Sequence, residues 1–149
     1  MKKTTQELII GKLKERGLRI TPQRRAVIDA FIEIEKLHPG ASLVHEEAKK
    51  KRPTLSLSTT YSILGELSRL GIIRQLQFDQ MENRYEGNLE EHINLICERC
   101  RRITDYKIPL HIDPREVAMQ TDFKITEARL EFYGYCGECS MSDEGKTGS

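Results

Sequence analysis

The sequence predicts an α+β protein in two parts: a helical first half that ends in a short hairpin, and a small α/β second half fastened by four cysteines. Three observations predict it. Apolar residues recur with helical spacing as far as Leu70, and beyond Gly71 they give way to strand-like runs. Two Cys-x-x-Cys pairs, Cys97 with Cys100 and Cys136 with Cys139, bracket most of the second half. Charge divides along the same line. Met1 to Gln75 carries fifteen Lys and Arg against eight Asp and Glu, a net +7, whereas Leu76 to Ser149 carries nine against fifteen, a net −6. A basic half joined to an acidic half points to one module that meets a polyanion and another with a different task; two solvated faces are the bland alternative.

The first helix signal is RGLRITPQRRAVIDAFIEIE. Thr21 is placed to cap it and Pro22 fills the first helical position, where a missing N–H is harmless. Ala26, Val27, Ala30, Phe31 and Ile34 form one buried stripe. After HPGAS a shorter helix is expected over Leu43 to Lys51, closed by Pro53. A third is expected in SLSTTYSILGELSRLG, capped by Ser56, buried through Thr60, Ile63, Leu64, Leu67 and Leu70, and ended by Gly71. IIRQLQF and NRYEG, separated by Asp79 to Glu82, then read as a hairpin. Three helices followed by a hairpin describe a winged helix-turn-helix, a DNA-binding design, although helical stripes alone more often mean an ordinary bundle. Ser58, Thr59, Tyr61 and Ser62 stand off the apolar stripe near the start of the third helix, able to reach phosphates and base edges.

The second half changes period. HINLIC, RITDYKI and FKITEARLEFYG read as strands, with a short helix around Pro114 to Gln120 and a flexible tail over 141–149. So small a unit has little core of its own, which makes a metal staple and a dimer interface physically reasonable. The two cysteine pairs, with 35 residues between them, have the spacing that lets four thiolates face one ion. Structural zinc suits that set best; a rubredoxin-like iron site, redox disulfides and unliganded thiols are the alternatives. Alternation along HINLIC puts His92 and Asn94 on one face and Ile93, Leu95 and Cys97 on the other. A lone histidine at His92 is ordinarily not a ligand.

Taken in order, GLRITPQR, His38-Pro39, SLSTTYSIL, NRYE, HINLICERC and RLEFYGYCGEC resemble the ferric uptake regulator (Fur) superfamily of metal-dependent repressors, over about Gly11 to Cys139. The pattern is most similar to its peroxide-responsive branch. The resemblance implies a winged-helix domain over 1–87, a hinge over 88–91, a dimerisation and zinc domain over 92–140, and a homodimer on a palindromic double-stranded DNA operator. It adds Arg19, Thr21, Gln23 and Arg24 to the DNA-contacting residues. It also implies a regulatory Fe(II) or Mn(II) site made of His38, Glu86, His92, Asn94 and Asp105, a mixed nitrogen and oxygen shell. Asp105 with His38 and His92 matches peroxide sensing, and Glu86 matches iron-responsive repression, the alternative subtype. Glu90 and Glu91 before His92, and Ala128 downstream, imply no third metal site. Arg101, where such chains usually carry glycine, must make its turn without glycine's freedom.

Other expectations are negative or by default. No run of about 18 apolar residues exists to span a membrane. MKKTTQELII has no long apolar stretch or cleavage site, so a cytoplasmic location is expected. No nucleophile–base arrangement or phosphate loop marks an enzyme. A zinc-stapled protein-interaction module and a thiol oxidoreductase remain as readings from other classes. His45 and His111 fit no ligand pattern.

Overall fold

The structure, a computed structural model, describes residues 5–79, 81–88, 90, 92–107 and 112–143. Two compact units divide the chain, Met1–Leu89 and Glu90–Ser149. His111, residues 144–149 of the expected tail and part of the expected hinge lie outside the described residues, whereas residues 141–143 of that tail are not loose but belong to the last helix. No described helix is long and apolar enough to cross a membrane.

The first unit runs α1 (Thr5–Glu15), α2 (Pro22–Ile34), a 3-10 turn (Glu35–Leu37), α3 (Ala41–Lys51), α4 (Leu57–Arg69), β1 (Arg74–Leu76) and β2 (Arg84–Glu86). The α2 start is built as its sequence dictates: Thr21 Oγ1 accepts from Arg24 N at 3.1 Å and Pro22 follows. Its buried face is wider than the expected stripe, because Ile28 is also fully buried while Ile34 lies at the edge. Ser56 Oγ likewise accepts from Thr59 N at 3.1 Å and starts α4, whose Thr60, Ile63, Leu64 and Leu67 are buried. Gly71, at φ +71, ends that helix in the left-handed region, where a Cβ would be strained. Phe31, Val27, Leu13 and Val44 meet Leu64 and Ile73 in one core.

Two features differ from the sequence reading. Helix α1 was not expected, although Ile9 and Leu13, four residues apart, are its buried anchors. Helix α3 begins two residues earlier than Leu43. Its N-cap is Gly40, which has no side-chain cap, so no local polar residue announces the start.

The second unit is a three-stranded sheet in the order β4-β3-β5, from β3 (His92–Cys97), β4 (Ile103–Lys107) and β5 (Glu131–Gly134), with α5 (Pro114–Thr121) and α6 (Gly137–Asp143). β3 pairs antiparallel with β4 and parallel with β5. Of FKITEARLEFYG only Glu131–Gly134 is strand, because β3 offers partners to that stretch alone. The core is small: Ile93, Ile96, Cys97 and Ile103 are buried, whereas Leu95, Tyr106, Phe123, Leu130, Phe132 and Tyr133 are exposed. A sheet with so much apolar surface uncovered is incomplete as a solitary unit.

Candidate metal centres and nucleic-acid surface

The four cysteines converge. The tight turn after β3 carries Cys97 and Cys100, closed by Cys97 N donating to Arg102 O at 2.9 Å and Arg101 N to Cys97 O at 3.0 Å. Arg101 sits at φ 66, so a non-glycine residue does occupy the left-handed position there. From the other side, β5 runs into Cys136 and α6, where Ser140 N donates to Cys136 O at 2.8 Å. Cys136 directly precedes α6 and Cys139 lies within it, so the second pair sits at a helix start.

All four Sγ atoms lie within 4.8 Å of one another, and none is in a disulfide. Cys100 Sγ and Cys136 Sγ are 3.8 Å apart. A tetrahedral ion with sulfur arms of about 2.3 Å has edges of about 3.8 Å, so the spacing is that of a metal's ligands and far from a covalent bond. Four soft sulfurs close the shell and fit a structural zinc with no open position for catalysis.

The thiols are unequal. Cys97 Sγ accepts from Cys136 N and Cys100 N, each at 3.4 Å, and these donors lower its pKa to about 6. Burial, with the neighbouring thiols, pushes Cys139 up to about 12. Four negative sulfurs so close cannot coexist without a cation between them, and that opposition is what a dication relieves.

The other candidate ligands form one pair in each unit, wholly buried in the first and with an exposed Asp105 in the second. In the first, His38 caps the 3-10 turn at φ 49, with its N–H donating to Glu35 O at 3.0 Å. The guanidinium of Arg84 on β2 donates to the carbonyls of His38 and Leu37, tying that corner to the hairpin. His38 Nε2 stands 3.5 Å from Glu86 Oε2, and both side chains are almost wholly buried. The other oxygen of Glu86 accepts from Arg74 at 3.1 Å. Arg74 is its direct cross-strand partner, which explains the contact. Sequence reasoning missed Arg74; the hairpin register was the signal that could have found it.

In the second unit, Asn94 and Asp105 are directly opposed across β3 and β4, and His92 is two residues from Asn94 on the same face. His92 Nε2 lies 3.5 Å from Asp105 Oδ1. Its Nδ1 lies 2.6 Å from Glu90 O, which as a carbonyl can only accept. Nδ1 is therefore the protonated nitrogen, and Nε2 keeps the lone pair a metal would need. Asn94 Oδ1 is buried with no hydrogen-bond partner among the described residues. A buried acceptor without a donor is a cost that a cation removes. Nitrogen and oxygen donors of this kind suit Fe(II) or Mn(II).

On the first unit, Ser58, Tyr61 and Ser62 are exposed around the first turns of α4, and Thr59 is half-buried. Arg19 and Gln23 are exposed. Thr21 is engaged as a cap, and Arg24 pairs with Glu66 at 3.1 Å and donates to Arg19 O at 2.8 Å. Arg24 thus braces α2 against α4. Arg24→Ala is expected to lower the unfolding free energy by about 1 kcal/mol, measured by urea denaturation, since the pair is only partly shielded. His45 Nε2 lies 2.8 Å from Leu55 O and is structural.

A winged helix joined to a small sheet unit with a tetrathiolate centre defines a metal-binding protein of the winged-helix class. The chain belongs to the ferric uptake regulator family: residues 15–133 match the family's sequence profile. It is 34% identical over 131 residues to the peroxide-responsive repressor PerR of Staphylococcus epidermidis, covering 87% of each chain. Among solved structures, the Campylobacter jejuni peroxide stress regulator matches with a TM-score of 0.66 and 26% identity, over 87% of this chain and 98% of that one. The Helicobacter pylori ferric uptake regulator, described as having three functional metal-binding sites, shares the fold at a TM-score of 0.70 and 23% identity over the whole of both chains.

Proposed function

We propose that this chain is a metal-dependent transcriptional repressor that binds a palindromic operator as a homodimer while a regulatory Fe(II) or Mn(II) is bound, and that peroxide ends repression. Residues 1–87 read DNA, 88–91 are the hinge, and 92–140 form the dimerisation and zinc domain. His38 and Glu86 supply the first unit's regulatory ligands, and His92, Asn94 and Asp105 supply the second's. The observation that carries the metal-dependent part is Asn94 Oδ1, an unpartnered acceptor buried beside the His92–Asp105 pair.

Other features support the remaining parts. The exposed polar turn of α4 suits the major groove, and the basic first half supplies attraction to phosphate that weakens steeply with salt. The exposed Leu95, Phe132 and Tyr133 give the second unit an apolar face for its twin. A dication held by these residues would favour the DNA-binding state of the dimer over the others. Iron-responsive repression is the second reading, favoured by a glutamate at position 86.

Peroxide separates the two readings. Protein loaded with Fe(II) and treated with hydrogen peroxide is expected to gain one oxygen atom on the ring of His38 or His92, water being the other product, and to release its operator. Mass spectrometry of peptides and fluorescence anisotropy read the two events. An iron form that keeps both its mass and its operator under peroxide overturns peroxide sensing and leaves iron-responsive repression.

A further inference from the structure

The loop between β1 and β2 carries a carboxylate with three donors. Glu82 Oε1 accepts from Ser42 N at 2.9 Å, from Ser42 Oγ at 3.0 Å and from the Tyr61 hydroxyl at 3.1 Å. These donors come from two helices. Ser42 is the second residue of α3, whose own cap, Gly40, offers no side-chain acceptor. Glu82 therefore performs an N-cap's work from 40 residues along the chain. Gly40 is what admits it: a Cβ there would lie 2.6 Å from Glu82 Cδ. The hairpin is held to the same corner by Tyr85 N donating to Pro39 O at 2.9 Å and by a bridge between Gly40 and Arg84.

We propose that Glu82 is a positioning residue of the DNA-reading surface, clasping the hairpin loop to α3 and fixing the Tyr61 side chain on α4 where it meets the operator. The inference rests on the DNA-binding reading above. Tyr61 is exposed at its ring and joins Ser58 and Ser62 on the turn that faces outward, so its orientation needs a fixed partner. Glu82 accepts from its hydroxyl, and the Ser42 side chain is a second neighbour at the same corner. Burial raises the phenol's pKa, and the hydrogen bond to Glu82 and its charge raise it further. A carboxylate is an unusual choice beside a polyanion. Placing it there lowers attraction to any phosphate backbone, while the ordered phenol benefits only a matching sequence, so the clasp favours selectivity over affinity.

The test uses full-length, zinc- and Mn(II)-loaded protein with a duplex that wild type selects from a randomised pool, and a scrambled duplex of the same composition. Glu82→Ala is expected to bind the selected duplex about tenfold more weakly, and the scrambled duplex no more weakly than wild type. Glu82→Gln, whose amide oxygen accepts the same bonds, is expected to stay within about twofold of wild type on the selected duplex. Tyr61→Phe combined with Glu82→Ala is expected to lose no more than the worse single change. Without DNA, ultraviolet titration of the phenols, with Tyr61→Phe subtracted, should show the Tyr61 pKa falling in Glu82→Ala. An unchanged phenol, unaltered duplex selectivity, or equal losses on both duplexes for the Ala and Gln variants overturns the clasp. A wild type that selects no duplex overturns the DNA-binding reading instead, which the phenol titration distinguishes.

Discussion

Replacing Cys97 with serine is expected to strip the protein of tightly held zinc and to unfold the second unit, while the first unit's helical signal persists. The size of the effect follows from how little else holds the unit together. Four buried apolar residues and a three-stranded sheet form its described core, and two of that core's boundaries, the turn after β3 and the start of α6, meet at the thiols. In small zinc domains the apparent metal-binding free energy is about 10–16 kcal/mol, and it counts as folding energy because the site does not exist in the unfolded chain. Cys97 matters most among the four. It is the buried thiol, and its sulfur accepts the backbone N–H of both Cys100 and Cys136. Serine can still accept those bonds but is a poor zinc ligand. Bound zinc measured after dialysis against a weak chelator, with circular dichroism melting, checks the result. A Cys97→Ser protein that keeps one zinc per chain would overturn the tetrathiolate assignment.

Acid should act along the same coordinate. In the metal-free fold the Cys136 and Cys100 N–H groups hold the Cys97 pKa at about 6, below a free thiol at about 8.5, so its ionisation favours folding at higher pH. That contribution is complete above the free-thiol pKa and is lost as pH falls through about 6.

The sequence was most legible where structure is local. Thr21 and Ser56 are caps that act within three residues, and their helices start where those side chains say. The cysteine pairs were legible for a similar reason, because a two-residue spacing constrains both thiolates whatever the fold. Legibility failed where the partner is distant. The α3 start is capped from residue 82, so Gly40 looked like plain loop. Arg24, grouped by resemblance with DNA contacts, is engaged by Glu66 on another helix. His38 and Glu86 sit 48 residues apart in sequence, and only the family pattern linked them before the structure placed them 3.5 Å apart. α1 escaped because only Ile9 and Leu13 are buried along it, too few to set a period.

Replacing His92 with alanine is expected to make operator binding indifferent to Mn(II), with zinc content unchanged. The two halves of that outcome come from one strand. His92 and Asn94 lie at the start of β3, and Cys97 at its end belongs to the thiol cluster. Removing an imidazole at one end leaves the four sulfurs at the other. Regulatory coupling in proteins typically amounts to about 1–3 kcal/mol, or roughly 5–150-fold in affinity. Wild type should therefore bind its selected duplex one to two orders of magnitude more tightly with Mn(II), and His92→Ala should remain at the metal-free level. Arg74→Gln should move the other way. Its guanidinium neutralises a Glu86 carboxylate that is almost completely buried. Without it the carboxylate lacks a full countercharge, which destabilises the metal-free state and strengthens attraction for a dication. Mn(II) titration followed by electron paramagnetic resonance should show tighter binding in Arg74→Gln and weaker binding in His92→Ala. Retained Mn(II) stimulation in His92→Ala would remove His92 from the regulatory site. Loss of zinc in the same variant would instead show that the two ends of β3 fold as a single metal-dependent unit.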